Sequence, residues 1–445
     1  MRRLTLRWAA VRDSFWFVPA LMVLAVIVLA EQAVNVDERV ELETLRRFPW
    51  VYGGSADGAR SMLEAIAGSV IGVAGTTFSI TIAALSLASN QMGPRLLEHF
   101  TRDRGNQLAL GTFIATFTYC LLILRTVRGG DQNPFVPHLA VTLGLLLALA
   151  SLVVLIYFIA HIASSINVGN VVRLVANELT DAIEAQFPGR TENSHRTTVA
   201  PSLPPQPVAV RADGSGYLQA LDVNALLGLA QKHSAVIHLT VRPGDFVFPG
   251  MVVAFTSPPA LEDVRAALVT GPRRTSSQDV EFAAQQLVEV VVRALSPGIN
   301  DPFTAIAVLD HLGAALCRVS GREMPFPHQL VDGQVRLVIP VTDYAGLTDV
   351  MFHQIRQNGA GHPAVMLRLL EVLATVAEQE RDPTRQASLR RHADLALRAA
   401  LRKTAEEADR RELEERHGRV LGMVSQNRKQ ASIVNPSTLP GDAPT

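Results

Sequence analysis

The stretch EAIAGSVIGVAGTTFSITIAALSLASNQ, residues 64–91, decides the fold class of this chain. Its central part, Ala65–Ala88, is long enough to cross a bilayer, because a spanning helix needs about 20 mostly apolar residues. Small and hydroxyl side chains recur in it every three or four residues, so they fall on one narrow stripe of a helix. The stripe consists of Gly68, Gly72, Gly75, Ser79, Ala83, Ser86 and Asn90, with Thr76 at its border.

Two interpretations of this stripe remain open. Small residues let transmembrane helices pack closely, and hydroxyl groups form hydrogen bonds across such interfaces. Hydroxyls and exposed backbone can also replace the hydration shell of an ion, so the same residues can line a pore. The pore-lining set would then be Gly72, Thr76, Ser79, Ala83, Ser86 and Asn90. A helix of this kind that packs around a symmetry axis satisfies both interpretations.

Three further apolar segments accompany this one. The four predicted spans lie at about Phe15–Ala30, Ala65–Ala88, Leu108–Leu124 and Leu139–Ala163. The first segment also fits a signal peptide, but the early position of Trp16 and the three later spans favour an uncleaved anchor. No Asp, Glu, Lys or Arg lies inside any of the four segments. Coupled transport and voltage sensing need such groups in the membrane, so both are disfavoured.

Arginines in the short flanking segments indicate the orientation. They occur before the first span and between the second and third spans, where Arg95, Arg102 and Arg104 lie. This distribution favours an N-terminus on the inside and a cytoplasmic C-terminal half. The three arginines either anchor their loop to the inner surface or, around a pore, form a cytoplasmic vestibule that favours anions.

Overall composition restricts the partners of the chain. Its 445 residues include 41 basic and 41 acidic side chains, so the net charge is zero. A general polyanion binder needs excess cationic charge, and nucleic acid is therefore not an expected partner. The two cysteines, Cys120 and Cys317, can build neither a disulfide framework nor a cysteine-based zinc site.

The second half of the chain predicts a cytoplasmic α+β domain. After a transmembrane domain at 1–169, residues 170–207 predict an amphipathic helix and a proline-rich linker. Residues 208–258 predict a small barrel-like β module, because VRPGDFVFPGMVVAF (241–255) resembles the hairpin of a biotinyl-type barrel-sandwich fold, with Gly244 and Gly250 at its turns. Its hairpins lack the lysine that a carrier domain needs, so a structural role is expected. Residues 259–425 predict a mainly helical part, including one long helix at about 384–416, and 426–445 a disordered tail.

The segment SPGINDP, residues 296–302, separates two predicted helices. Gly298 is expected in the left-handed conformation, Asp301 as a helix N-cap and Pro302 at the first helical position. The alternative is a ligand site for a cation or small molecule. Its candidate residues are Gln278, Asp279, Ser296, Asn300 and Asp301.

Enzyme motifs are absent from the sequence. It contains no P-loop, GxGxxG, GxSxG or HExxH motif. The nearest pair of histidines, His233 and His238, lacks metal-ligand spacing. We therefore expect no enzymatic activity, no cofactor and no metal site.

Several strings make the chain resemble the domain-of-unknown-function 2254 family of predicted bacterial membrane proteins. The most specific are SNQMGPRLL (89–97) and RALSPGINDP (293–302), supported by SGYLQALD (215–222) and RPGDFVFPG (242–250). The resemblance covers about residues 10–415. It implies a bacterial inner-membrane protein with a cytoplasmic domain and carries over no catalytic residues.

Two functions follow as hypotheses. In the first, the chain is a homo-oligomeric, channel-like protein that passes small ions through a pore lined by the second span, because four spans cannot enclose a pore alone. In the second, it is a membrane-anchored scaffold or sensor whose cytoplasmic domain binds a protein or a small ligand. An enzyme on a membrane anchor is disfavoured by the missing motifs.

Overall fold

The computed structural model describes residues 14–39, 50–92, 103–129, 135–165, 167–189, 207–257, 261–331 and 333–434. The chain divides into two compact units, Met1–Val171 and Val172–Thr445. The predicted proline-rich linker lies outside the described residues, apart from its last proline, Pro207.

The first unit contains four long helices. They are α1 (Phe17–Arg39), α2 (Ala56–Met92), α3 (Arg104–Thr126) and α4 (His138–Ser165). Each extends beyond the apolar segment that predicted it, because polar residues continue the helix at one or both ends. The segment between α2 and α3, in which Arg95 and Arg102 lie, is mostly outside the described part of the chain.

Contacts between helix ends show that α1 and α3 both run antiparallel to α4. At one side, the carboxylate of Asp37 near the end of α1 accepts hydrogen bonds from the backbone N–H groups of Leu139 and Ala140 at the start of α4, at 2.9 and 2.8 Å. At the other side, Asp103 caps the start of α3 and lies 3.0 Å from the imidazole Nε2 of His161 near the end of α4. Polar groups therefore gather at the two ends of the bundle.

Helix α3 is the centre of this unit, since it packs against α1, α2 and α4. Tyr119, Cys120 and Ile123 are fully buried on it, and the Tyr119 hydroxyl donates a hydrogen bond to the carbonyl of Ala140 at 2.9 Å. Thr116 and Ser151 of α4 share a buried hydrogen bond of 2.9 Å. The small and hydroxyl residues of the third span therefore pack inside the chain.

The second unit is a mixed α/β structure. Its first part comprises α5 (Val168–Gln186, in which the division between the units falls), β1 (Val208–Arg211), β2 (Gly216–Leu221), α6 (Val223–Lys232), β3 (Val236–Leu239), β4 (Phe246–Val247), β5 (Val252–Ser257), α7 (Leu261–Ala266) and β6 (Leu268–Gly271). Its second part comprises α8 (Val280–Ala294), α9 (Pro302–Ser320), β7 (His328–Val331), β8 (Gln334–Val338), α10 (Tyr344–Gly359), α11 (Pro363–Gln379), α12 (Pro383–Leu401) and α13 (Glu407–Val434).

The strands form two open sheets, so the expectation of a barrel-like module is wrong. One sheet has the order β1-β5-β3-β8-β7, and the other has the order β4-β2-β6. Strand β8 pairs in parallel with β3, at the register Ile237 with Leu337, although about 100 residues separate the two strands. The larger sheet is therefore completed by β7 and β8, which come much later in the sequence. Gly244 and Gly250 do occupy turns with positive φ, +100° and +79°.

Two predictions about the C-terminal helices are also wrong. The single helix expected at about 384–416 is divided into α12 and α13, and Arg410 donates hydrogen bonds to the carbonyls of Leu401 and Thr404 in the break. The disordered tail was expected from residue 426, but α13 continues to Val434. The rest of that tail lies outside the described residues.

Five helices in the described ranges are long and apolar enough to cross a membrane, one more than the four predicted spans. The additional helix is α9 in the second unit. It packs against α8 and α11, and its side chains Leu309, Leu312 and Leu316 are fully buried.

Candidate functional site

The small-residue stripe of α2 lies on the exposed side of that helix. Gly68, Gly72 and Gly75 are exposed, and a Cβ atom added to any of them would meet no atom of the described residues within 4 Å. The opposite side of α2 is covered, as the buried residues Leu63 and Ala67 show. No other helix of the described chain covers the three glycines of the stripe.

The structure places most of the predicted pore-lining residues together on this open face. Gly72, Thr76, Ser79, Ala83 and Ser86 are all exposed. Asn90 lies in the last turns of α2, and its side chain is outside the described part of the structure. The hydroxyls of Thr76 and Ser79 donate hydrogen bonds to the carbonyls four residues earlier, at 3.0 and 2.8 Å. Their protons are therefore satisfied, and the oxygen lone pairs remain as acceptors.

The exposed face of α4 has the opposite character. It carries bulky apolar side chains, among them Leu145, Leu149, Leu152, Val153 and Ile156, each more than two-fifths exposed. Such a face is typical of contact with lipid. Of the predicted vestibule arginines, Arg104 begins α3 and is exposed, whereas Arg95 and Arg102 lie outside the described residues.

The second unit holds a cavity of about 570 Å³, which is within the size range of small-molecule sites. Its walls come from α5, the β2–α6 connection, the loop after β3 and the segment that follows β8. The polar lining includes Arg242, Ser277, Gln278, Asp279 and Thr342. Two of the predicted ligand residues, Gln278 and Asp279, therefore border a space that could hold a ligand.

Asp279 is held firmly at the edge of this cavity. Its carboxylate accepts a hydrogen bond from the backbone N–H of Phe282, and this bond caps α8. It also forms an ion pair with Arg274 at 2.7 Å. Burial raises the pKa of Asp279, while the hydrogen bond from Arg274 opposes that rise. Gly244 approaches closely, since a Cβ there would lie 2.0 Å from the Asp279 Oδ2 atom. Any side chain at position 244 would disrupt this cap.

Neighbouring polar groups are also engaged with the protein. The Gln278 side-chain oxygen accepts a hydrogen bond from the backbone N–H of Leu221 at 2.8 Å. Arg242 donates to Glu281 at 2.8 Å and to Thr342 at 3.0 Å. These bonds join the β2 end, the loop after β3 and the start of α8, so the cavity has a fixed polar wall.

The remaining predicted ligand residues lie apart from this cavity. Ser296, Asn300 and Asp301 follow the end of α8, whose 15 residues span roughly 22 Å. Asp301 caps α9 through the N–H groups of Phe303 and Thr304, and the hydrogen bond from the Thr304 hydroxyl lowers its pKa. Asn300, rather than Gly298 as expected, has the positive φ, +51°. Asparagine tolerates this conformation better than most residues do.

Sequence reasoning missed two features of the second unit. It did not identify Arg242 and Thr342 as part of the cavity wall, because they are 100 residues apart. It also did not bring together Asp349, His353 and His392, whose ligand atoms lie within 4.8 Å of one another. The pair Asp349 and His353, four residues apart on one helix, was the available signal.

Comparisons with known proteins agree with the helices of the first unit. Residues 12–375 match the family model described as "Predicted membrane protein (DUF2254)". The chain is 33% identical over 372 residues to "Uncharacterized protein Rv1290c" of Mycobacterium tuberculosis and equally to "Uncharacterized protein Mb1321c" of Mycobacterium bovis. Each alignment covers 81% of this chain and 71% of the relative. No solved structure matches the chain.

The long apolar helices and these matches together define a membrane protein with several transmembrane helices, in contact with the lipid bilayer. The chain belongs to the DUF2254 family.

Proposed function

We propose that this chain forms a homo-oligomeric, channel-like membrane protein in which α2 helices pack around a common axis. The open small-residue face of α2 carries the proposal. Glycines have no side chain that could contact lipid, but they let a second helix approach closely. A ring of these faces would be lined by Gly72, Thr76, Ser79, Ala83, Ser86 and Asn90, and the free lone pairs of the hydroxyls could accept small ions.

In this proposal, α1–α4 span the bacterial inner membrane and α9 does not. The apolar face of α9 is already covered by α8 and α11, and the helix carries Asp310 and Arg318. Both termini are proposed to be cytoplasmic, because of the arginines before α1 and between α2 and α3. Arg104, with Arg95 and Arg102, would then lie at the cytoplasmic mouth, and the second unit would have a role in assembly or gating.

The first test is the molar mass of the detergent-purified protein, measured by light scattering with the detergent subtracted. We expect four to seven chains of 48.1 kDa per particle. A monomer or a simple dimer would exclude a pore on the oligomer axis. The small residues of α2 would then serve only helix packing.

The second test locates α2 within the oligomer. In a background with Cys120 and Cys317 replaced, Ser79→Cys should form disulfide-linked dimers under mild oxidation. Ala150→Cys on the exposed side of α4 is the matched control and should not. Equal cross-linking at both positions would contradict the axial placement of α2.

The third test concerns conduction itself. A bulky side chain on the axis should block the pore, so Ser79→Leu is expected to abolish or greatly reduce ion flux in proteoliposomes. Ala150→Leu, which changes the proposed lipid face, should leave flux unchanged. Unchanged flux in the Ser79 variant would exclude a pore lined by α2.

The cavity of about 570 Å³ supports a second candidate, a membrane-anchored sensor whose second unit binds a small polar molecule. A compound that raises the melting temperature of the full chain would support it, provided that Val341→Trp removes the shift. Val341 lines the cavity, and the indole would fill part of it. A shift that persists in this variant would place the compound elsewhere.

A further inference from the structure

Three potential metal ligands meet between helices α10 and α12 of the second unit. Asp349 and His353 lie one turn apart on α10, and His392 lies on α12. The Asp349 Oδ1 atom is 2.9 Å from the Nε2 atom of His392 and 3.3 Å from that of His353. All three ligand atoms lie within 4.8 Å of one another.

From this geometry we propose that Asp349, His353 and His392 bind a divalent transition-metal ion, which cross-links α10 to α12. Metal–ligand bonds of 2.0–2.1 Å in a tetrahedral site hold neighbouring ligand atoms roughly 3.3 Å apart. The separation between Asp349 and His353 equals this value, and that between Asp349 and His392 is 0.4 Å shorter. The remaining adjustment falls on His353, whose side chain is about one-third exposed and has room to rotate.

The ligand types favour Zn²⁺ or a related ion over Mg²⁺ or Ca²⁺. Imidazole nitrogen suits first-row transition metals, whereas the two hard cations prefer a shell of oxygen atoms. The exposed side of Asp349 and His353 leaves a fourth position for water.

Packing around His392 holds one ligand in place before the metal binds. The His392 side chain is almost fully buried, and its ring packs edge-to-face against Phe352 with centroids 5.6 Å apart. A fixed ring loses little conformational entropy on binding. The site would therefore form from one rigid and two adjustable ligands.

Arg391 would compete with a metal ion for the carboxylate of Asp349. Its guanidinium forms an ion pair with Asp349 and lies 3.5 Å from the Nε2 atom of His392. The Arg391 side chain is nearly half exposed, so it can move into solvent when a dication takes its place. Removing this positive charge should therefore strengthen metal binding.

The experiment is a Co²⁺ titration of the untagged, metal-free full chain in detergent, followed by visible absorption. We expect one tightly bound Co²⁺ per chain, with the absorption of a tetrahedral or five-coordinate ion. His353→Ala should weaken binding at least ~100-fold, more than the loss of a supporting residue usually does. Arg391→Gln should strengthen it about tenfold by removing a neighbouring like charge.

His417→Ala is the matched control, because His417 pairs with Asp394 at 2.6 Å without belonging to the three-ligand group. It should leave the titration unchanged. Circular dichroism of the His353 variant checks that this one-third exposed position tolerates the change. Equal Co²⁺ binding by the wild-type and His353 variants, or no gain in the Arg391 variant, would overturn the proposal. Neither result depends on whether α2 lines a pore.

Discussion

Helices α2 and α3 carry similar rows of small residues but use them differently. On α3, Gly111, Ala115 and Thr116 are buried against neighbouring helices of the same chain. On α2, Gly72 and Gly75 face open space. Only the row on α3 packs against other helices within the described part of the chain. The row on α2 is the one available to another copy.

The largest effect is expected inside the chain, at Gly111. A Cβ there would lie 2.5 Å from the Met22 sulfur and 3.3 Å from the Pro19 Cα atom of α1. Gly111→Leu should therefore destabilise the first unit by about 3 kcal/mol or more, since α1 must move away. Thermal unfolding in detergent measures the loss. A melting temperature equal to that of wild type would remove the distinction between the two rows.

A smaller and different effect is expected at Gly72 on the open face. A Cβ atom at Gly72 would meet no atom of the described residues within 4 Å, so Gly72→Leu should leave the melting behaviour of the dissociated chain unchanged. The oligomer should instead weaken at least tenfold, or ~1.4 kcal/mol, because the helices can no longer approach.

Light scattering over a dilution series measures this change, and Ala150→Leu on α4 serves as the control. If both variants weaken the oligomer equally, the open face of α2 has no special part in assembly. If the Gly72 variant unfolds instead, its surroundings are filled and the comparison with Gly111 fails.

The smallest effect is expected at Thr116. Thr116→Val removes the hydrogen bond to Ser151 but keeps the shape of the side chain. Ser151 retains a bond of 2.8 Å to the carbonyl of Leu147, so no polar group is left unpaired. The expected cost is about 0.6 kcal/mol, the mean for hydrogen bonds between transmembrane helices. A loss above roughly 2 kcal/mol would mean that this bond, rather than small-residue packing, holds α3 to α4.

Local patterns predicted much of the secondary structure. The apolar segments identified α1–α4, and the predicted N-cap Asp301 correctly marked the start of α9. The break between α12 and α13 was missed, because RKTAEE contains neither glycine nor proline. There Arg410 binds carbonyls that a continuous helix would have used, and composition does not reveal that competition.

Long-range contacts could not be predicted from one sequence. Residues 208–258 were predicted to form strands, but nothing in them indicates that β8 pairs with β3. In the same way, His353 and His392 are 39 residues apart, and only the packing of α10 on α12 joins them. The stripe of α2 was visible, but its exposure depended on where the other helices lie.

The bond between Asp37 and the start of α4 has a consequence for biogenesis. Asp37 is made early in translation, whereas the N–H groups it binds belong to Leu139 and Ala140, about 100 residues later. Helix α1 also finds its main neighbour in α3 rather than in α2. Helices α1 and α2 are therefore made before α3 and α4, the helices that α1 packs against. Closure of the bundle is a late event, completed only when the fourth helix arrives and its first turn satisfies that carboxylate.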